Sequence, residues 1–240
     1  MRIKDVAKEA GVSTATVSHV LNKTKFVKSD TREKVEKAIA KLNFYPNAHA
    51  RTLASGKSNI IGLLISDITN PFFPELVKSI ETAAFEHGYN IILFNTNYDA
   101  KRAAEYVQRL IELKVAGVAL MTAELDPKLL EELQRKQVRV VFNDLGIVNE
   151  FMSNIVLDYS IGIEEAVKHL VSLGHENIAH IAGSSSIRSG NIRREAFIKA
   201  MKKHCPKNKK PVIVEGDFRF ESGRLAAVKI LQTKNLPSAV

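Results

Sequence analysis

Small polar side chains cluster near the N-terminus, at the beginning of a segment with helical periodicity. The cluster consists of Ser13, Thr14, Thr16, Ser18 and His19. Short side chains allow a helix to enter the major groove of DNA, where hydroxyl groups reach base edges or phosphates and a methyl group contacts thymine. The same pattern would arise if Ser13 capped the helix and the threonines simply faced solvent. The spacing alone does not decide between these two interpretations.

A second group of candidate residues follows the first apolar run of a later region, in Asn70-Pro71-Phe72-Phe73. Aromatic rings offer flat apolar faces suited to sugar CH groups or a nucleobase, and Asn70 can hydrogen-bond a hydroxyl group. Ligands of open parallel sheets bind beyond the carboxyl ends of the strands, where this segment is expected to lie. The residue types by themselves favour a simpler interpretation, a helix that starts at a proline and buries both phenylalanines.

Three short helices are predicted to position the first group. The first ends at Gly11, Ser13 is predicted to cap a second from Thr14 to Leu21, and Ser29 or Asp30 is predicted to cap a third. Two helices joined by a tight glycine turn, with a third that closes the core, form a helix-turn-helix unit. The apolar positions at helical spacing are Ile3, Val6, Ala7, Ala10, Val17, Val20, Leu21, Val35, Ala38, Ile39 and Leu42.

A hinge is predicted to follow this unit. Pro46 discourages helix at Tyr45 and suits the start of a new one, so that residues 48–54 could form one or two helical turns. So short a helix is marginal alone in water and is expected to fold only against a partner. The predicted domains are a helix-turn-helix headpiece at 1–45, a hinge helix and linker at 46–58, and an α/β domain at 59–240.

From Ile60 onward, short apolar runs alternate with amphipathic helices, which predicts a doubly wound parallel sheet covered on both faces. The fold class is therefore α/β, preceded by an all-α headpiece. Two units of this kind are expected in series, at about 59–155 and 156–240. Strands are expected at 60–65, 90–95, 116–121, 138–142, 154–157, 177–182 and 211–214. Helices are expected at about 73–87, 100–114, 127–136, 160–173, 191–204 and 221–233.

Positive charge is concentrated at the N-terminus. Residues 1–58 hold 12 Lys and Arg but 5 Asp and Glu, a balance of +7 within the chain's net charge of +9. A basic segment that is also folded and periodic points to nucleic acid.

The 240 residues contain no apolar run long enough to span a bilayer and no signal segment. A cytoplasmic location without membrane contact is therefore predicted.

Catalytic and metal chemistry finds little support in the sequence. The single cysteine, Cys205, is incompatible with an internal disulfide framework or a Cys-rich metal site. No phosphate-binding loop, dinucleotide fingerprint or nucleophile elbow follows a strand. His169, His175 and His180 are scattered at spacings that indicate no metal cage. We expect no enzyme, no cofactor and no metal ion.

Several motifs together resemble the lactose-repressor/galactose-repressor family of bacterial transcriptional regulators. In the headpiece the resemblance rests on the run from Ile3 to Asn22, the third helix at 31–35 and the hinge at 45–54. This headpiece is most similar to those of the ribose and purine repressors. The pattern there is highly specific, whereas the α/β part alone would also fit periplasmic sugar-binding proteins. The resemblance covers essentially the whole chain and continues through Ile61-Gly62-Leu63-Leu64, Asn70-Pro71-Phe72-Phe73, Leu173-Gly174-His175 and Gly216-Asp217-Phe218.

The resemblance implies DNA contacts in the headpiece and the hinge. It makes Thr14, Thr16 and His19 candidate base readers. Leu53 could simply pack on the sensing domain, but the resemblance favours a minor-groove wedge, in which paired leucines open the central base step and kink the DNA. The candidates for contacts to the DNA backbone are Ser13, Ser18, Asn22 and Lys28.

The resemblance also implies an effector site at the carboxyl ends of the strands. One ring of the pair Phe72 and Phe73 is expected to face the core and the other the ligand. The effector class is a sugar or a nucleobase-like molecule of the purine class. Many sugar-binding members carry an arginine where this chain has Asn191. The other implied effector residues are Asn70, Asp144, Arg193 and Phe218.

Together these observations predict a sequence-specific DNA-binding transcriptional repressor, a homodimer on a pseudo-palindromic double-stranded operator, whose operator affinity is modulated by a small effector. The alternative is a periplasmic-type solute-binding protein without a regulatory role, and the basic headpiece and absent signal segment argue against it. Because members of the family run further than Val240, the α/β domain is expected to be incomplete at its C-terminus, with a partial second unit.

Overall fold

The computed structural model describes residues 1–45, 58–122, 125–144, 148–206 and 210–240. Contacts within the chain divide it into two units, Met1–Ser58 and Asn59–Val240. Within the described ranges, no helix is both long and apolar enough to cross a membrane.

Three helices form the headpiece: α1 (Ile3–Ala10), α2 (Thr14–Asn22) and α3 (Ser29–Lys41). α1 ends at Gly11, whose φ of 64° lies in the left-handed region that glycine adopts without strain. Ser13 caps α2 as predicted, because its Oγ accepts a hydrogen bond from the Thr16 backbone N–H at 3.1 Å. The three helices close on one core, made of Val6, Ala7, Val17, Val20, Val35, Ala38 and Phe44.

The predicted cap of α3 is wrong. Ser29 and Asp30 lie inside the helix, and Lys28, which precedes it, provides no side-chain cap. The Ser29 hydroxyl instead donates to the Asp30 carboxylate at 3.2 Å. The Lys28 carbonyl accepts from the backbone amides of Thr31 and Arg32. The helix therefore begins one residue earlier than a Ser29 cap would allow and two residues earlier than an Asp30 cap would allow.

The second unit contains a five-stranded parallel sheet in the strand order β2-β1-β3-β4-β5. Leu64 of β1 packs on one face with Leu110 and Phe142, while Leu63 packs on the other with Phe73, so β1 is buried on both sides. The strands are β1 (Ile60–Ile65), β2 (Asn90–Asn95), β3 (Gly117–Met121), β4 (Arg139–Asn143) and β5 (Met152–Ile155). The connecting helices are α4 (Phe72–Glu86), α5 (Ala100–Glu112) and α6 (Pro127–Arg135).

A two-stranded parallel sheet follows, made of β6 (Ala179–Ala182) and β7 (Val212–Glu215). Ala239 adds a parallel bridge to Ile178. The helices of this part are α7 (Tyr159–Ser172), α8 (Arg188–His204) and α9 (Phe220–Leu231). Val167, Ile178, Phe197 and Met201 form its core. Strands alternate with helices, and each described strand pairs with its neighbour in parallel, which confirms the predicted α/β class.

Two elements begin two or three residues earlier than the sequence pattern predicts. β5 was expected at 154–157 because Ile155, Val156 and Leu157 form an apolar run, but the pairing with β4 joins Val140 to Met152 and ends at Asn143 and Ile155. α8 was expected from residue 191 and begins at Arg188. For β5, the pairing with β4 rather than the local apolar pattern decides where the strand starts.

Candidate DNA-binding and effector sites

The outer face of α2 carries the polar residues that the sequence singled out. Thr14, Ser18 and Asn22 are spaced four residues apart, which places them on one side of the helix, whereas Val17 and Val20 are buried on the other. Thr14 and Asn22 are exposed and Ser18 is half-buried. The helix therefore presents a continuous polar stripe of short side chains to solvent.

Hydrogen bonds fix hydroxyl groups in the stripe and beside it. Asn22 Nδ2 donates to Ser18 Oγ at 3.2 Å, which leaves the Ser18 hydroxyl proton free to be donated to an outside acceptor. Ser13 Oγ lies 2.9 Å from Thr16 Oγ1 while it also caps the helix. Thr16 is half-buried, so of the two predicted threonine base readers Thr14 is the more accessible.

The His19 ring contacts Thr24, a residue that no sequence pattern had indicated. Its Nδ1 lies 2.9 Å from Thr24 Oγ1, in the loop after α2. This contact orients the imidazole and leaves its Nε2 edge for an external partner. From the sequence, one can say only that Thr24 follows the predicted end of α2. In the structure, Lys23 has a left-handed φ of 51°, which turns the chain back at this point.

Lys28 is exposed at the start of α3, where its ammonium group can reach a phosphate. Leu53, the predicted minor-groove wedge, lies outside the described residues together with the rest of the predicted hinge helix.

The pair Phe72 and Phe73 is divided between core and surface. Phe73 is 8% exposed and packs against Leu63 and Ile65, whereas Phe72 is 53% exposed. The two rings meet edge to face at 5.2 Å. Asn70 shapes the turn, since its Oδ1 accepts from the Phe72 backbone N–H at 3.1 Å.

A series of contacts connects four of the predicted effector residues. Asn70 Nδ2 donates to the Phe218 carbonyl at 3.2 Å, which joins the loop after β1 to the loop after β7. The Arg193 guanidinium lies 5.3 Å from the centre of the Phe218 ring and 4.2 Å from that of Tyr159. The Tyr159 hydroxyl in turn donates to Asp144 Oδ2. We call these five residues the candidate effector site.

Tyr159 is the member that sequence reasoning missed. Burial raises the pKa of its phenol, the hydrogen bond to Asp144 and that carboxylate's negative charge raise it further, and Arg193 opposes them. The phenol therefore stays protonated as a donor. The one sequence feature that could have drawn attention to Tyr159 is its position directly after Asp158. Asp158 caps α7 by accepting a hydrogen bond from the Ser160 backbone N–H at 2.9 Å.

Asp144 directly follows β4 and has a left-handed φ of 61°. Its Oδ1 accepts from the Leu157 backbone N–H at 3.0 Å, while Oδ2 accepts from Tyr159. Both carboxylate oxygens are thus engaged by the chain itself, and the residue ties the end of β4 to the start of α7.

A second cross-loop contact lies beside Phe218. Arg219 Nη2 donates to the Asn97 carbonyl at 3.3 Å, and its guanidinium lies 4.9 Å from the centre of the Tyr98 ring. Asn97 and Tyr98 follow β2 with left-handed φ values of 55° and 58°. The loops that follow β1 and β2 at their carboxyl ends therefore both contact the loop after β7, at Phe218 and Arg219.

Buried hydroxyl groups support the same edge of the five-stranded sheet. Ser66 Oγ donates to Thr122 Oγ1 at 3.2 Å, and Thr96 Oγ1 lies 3.3 Å from the same atom. All three residues directly follow strands that pair in register. Within the described part of the chain, no three His, Cys, Asp or Glu side chains gather as metal ligands would.

A three-helix unit with an exposed polar helix, followed by an α/β unit whose polar residues converge at the carboxyl ends of its strands, defines a DNA-binding regulator with a ligand-sensing domain. Residues 2–47 match the family described as bacterial regulatory proteins, lacI family. Residues 58–240 match the periplasmic binding proteins and sugar binding domain of the LacI family. The chain belongs to the LacI family and is a DNA-binding transcriptional regulator.

Individual relatives agree with this assignment. The chain is 37% identical over 240 residues to the HTH-type transcriptional repressor PurR of Edwardsiella ictaluri, covering 99% of this chain and 70% of the relative. It superimposes with a TM-score of 0.82 on a lac repressor dimer bound to operator and an anti-inducer, at 29% identity over 99% of this chain and 72% of that one. A CelR–cellobiose complex matches with a TM-score of 0.59 at 27% identity, over 96% and 70% of the two chains. These relatives are transcriptional regulators rather than enzymes.

Proposed function

We propose that this chain represses transcription as a homodimer on a pseudo-palindromic operator, with α2 of each headpiece in the major groove. Thr14 and His19 would read base edges together with Thr16, whose hydroxyl is shared with Ser13. Ser13, Ser18, Asn22 and Lys28 would contact the DNA backbone, and Leu53 would enter the minor groove. We assign no catalytic role to the chain.

The polar stripe of α2 is the observation that carries this proposal. Its side chains are short, exposed or half-buried, and fixed by contacts within the helix, as a helix that must approach base edges requires. The headpiece also supplies the charge, with a balance of +7 over residues 1–58. A relative of the same fold is a repressor dimer bound to operator.

The candidate effector site would bind the small molecule that modulates operator affinity. The platform formed by the Phe218 ring and the Arg193 guanidinium suits a flat or ring-shaped ligand. One structural relative is a complex with cellobiose and another with D-xylulofuranose, the latter at 26% identity and a TM-score of 0.57. A sugar or a nucleobase-like molecule is therefore the proposed effector class.

A gel-shift comparison between a palindromic duplex selected from a random pool and a scrambled duplex of equal length tests the proposal. We expect selective retention of the palindrome. Lys28→Ala should weaken binding to both duplexes alike and reduce the salt slope by about one. Lys199→Ala, an exposed lysine of α8, provides the matched control and should leave both unchanged. A chain that binds a sugar but neither duplex would instead support the solute-binding alternative.

A further inference from the structure

An exposed phenylalanine lies in the loop between α2 and α3. Phe26 is 91% exposed, more than any other large apolar side chain in the described part of the chain. Single exposed apolar residues are common on protein surfaces, so this exposure alone gives Phe26 no role. What distinguishes Phe26 is that contacts of its neighbours hold the loop in place on both sides.

These contacts fix the chain directly before and after Phe26. Two residues earlier, Thr24 Oγ1 lies 2.9 Å from His19 Nδ1 on α2. In the next position, Val27 is half-buried and packs against the headpiece core. The loop is thus tied to α2 before Phe26 and to the core after it. The ring is therefore presented to solvent by an anchored loop rather than by the tip of a free one.

Phe26 also lies close to His19, one of the proposed base readers. Consecutive Cα atoms are about 3.8 Å apart, so the Cα of Phe26 lies within roughly 7.6 Å of the Cα of Thr24. Thr24 itself contacts the His19 ring. A duplex that His19 reads from its major groove would therefore extend its sugars and phosphates to the neighbourhood of Phe26.

The charge of the loop matches DNA. Lys23, Lys25 and Lys28 surround Phe26, all three are exposed, and residues 22–28 contain no Asp or Glu. Ammonium groups reach phosphates, while an aromatic ring packs on the CH groups of a deoxyribose or on the methyl group of thymine. The same lysines would repel the equally basic loop of a second headpiece, which favours DNA over a second copy of this chain as the partner of the ring.

We infer that the Phe26 ring packs against the apolar surface of the operator, on the CH groups of a deoxyribose or on the C5 methyl group of a thymine. Phe26 is then a DNA-contacting residue in addition to those of α2, and it supplies apolar contact where the lysines of its loop supply charge. The inference rests on the proposed binding of α2 in the major groove and extends that interface to the loop after α2.

Fluorescence anisotropy of the full chain with the palindromic duplex selected from the random pool tests the inference. Phe26→Ala should weaken binding roughly five- to thirtyfold, because the burial of much of a phenyl ring is lost. The salt dependence of binding should stay the same, since an apolar contact releases no counterions. Phe26→Leu, which keeps an apolar side chain, should retain part of the affinity. Phe220→Ala is the matched control and should bind like the wild type, because Phe220 is 89% exposed at the start of α9 in the second unit.

Replacing thymine by uracil in the duplex separates the two apolar groups of DNA. Contact with a methyl group predicts that uracil at one position weakens binding by the wild type, and that Phe26→Ala causes no further loss on that duplex. Contact with a deoxyribose predicts no effect of uracil, and a similar loss from Phe26→Ala on the palindromic and the scrambled duplex.

The inference is overturned if Phe26→Ala and Phe220→Ala bind alike while the wild type still selects the palindrome. A wild type that selects no palindrome would overturn the proposed function, and the inference with it. Sedimentation that shows a weaker dimer for Phe26→Ala would place the ring against the partner protomer instead of DNA. A lower midpoint of thermal unfolding for Phe26→Ala than for Phe220→Ala would likewise contradict the inference, because the ring would then pack within the headpiece.

Discussion

The orientation of the His19 side chain depends on a neighbour outside its helix. Thr24 fixes the imidazole through Nδ1, so His19→Ala should relax the preference at particular base pairs by about 1–3 kcal/mol rather than weaken all binding. Competition binding against single-base variants of the operator measures this. Thr24→Val, which keeps the shape and removes the hydroxyl, should cause a smaller loss at the same base pairs. An equal loss at every position would contradict base reading by His19.

His180 is a residue whose titration should be visible in the stability of the fold. Burial lowers the pKa of its imidazole, Arg193 lowers it further, and the ring stacks on Phe197 at 4.8 Å. The unfolded chain takes up the proton near pH ~6.5, before the folded chain does, so the free energy of unfolding should fall as the pH drops below that value. Thermal unfolding between pH 5 and pH 8 should show this loss in the wild type and a flatter profile in His180→Phe, which keeps the stack.

The effector residues could be located from sequence only through the family resemblance, because their grouping depends on long-range contacts. Asn70 and Phe218 are 148 positions apart in the chain, yet they share a hydrogen bond. Tyr159 escaped notice because nothing about its type or spacing indicates a bond to Asp144. A local sequence pattern indicates the face of a helix or strand on which a residue lies. Which loops lie next to each other depends instead on the order of the strands in the sheet.

The start of α8 packs closely against the preceding backbone at Gly190. A Cβ on Gly190 would lie 2.5 Å from the Ser184 carbonyl oxygen and 3.2 Å from the Gly183 carbonyl carbon, both backbone atoms that cannot rotate away. Gly190→Ala should therefore destabilise the fold by about 1–3 kcal/mol and displace Arg193, one turn further along α8. Denaturant unfolding measures the loss. Gly162→Ala in α7, where nothing lies within 4 Å of the added Cβ, should be neutral or stabilising by up to about 1 kcal/mol. Equal effects of the two substitutions would contradict the packing argument.

Hydrophobic periodicity predicted the type and order of the helices and strands correctly. It could do so because buried strands and amphipathic helices each require a characteristic spacing of apolar residues. β1 and β2 have the predicted bounds, 60–65 and 90–95. β5 does not, because its register is fixed by pairing with β4 and the exposed apolar residue Val156 follows it. The start of α8 was predicted too late because Gly190 resembles a turn residue in the sequence. In the structure, Gly190 lies inside the helix and packs closely against the backbone of Gly183 and Ser184.

Charge and fold divide the chain in the same place. The two units separate between Ser58 and Asn59, and the charge balance of +7 belongs to the first. If the dimer makes ~6–10 phosphate contacts, its affinity for DNA should fall by roughly 10³–10⁵ between 50 and 200 mM salt. Fluorescence anisotropy across that range checks the slope, and a flat response would argue against binding through the headpiece.

The predicted hinge would couple that electrostatic binding to operator recognition. If Leu53 wedges open a base step, Leu53→Ala should weaken specific binding by about 1–3 kcal/mol and reduce DNA bending, because the kink forms only at flexible pyrimidine–purine steps. Binding to random duplex should stay nearly unchanged, since it depends on phosphate contacts. Gel shifts on operator and random DNA, with circular-permutation mobility for the bend, separate the two effects. Leu173→Ala, at an exposed leucine directly after α7, is the control and should alter neither. Equal losses on specific and random DNA would mean that Leu53 packs against protein and does not enter the minor groove.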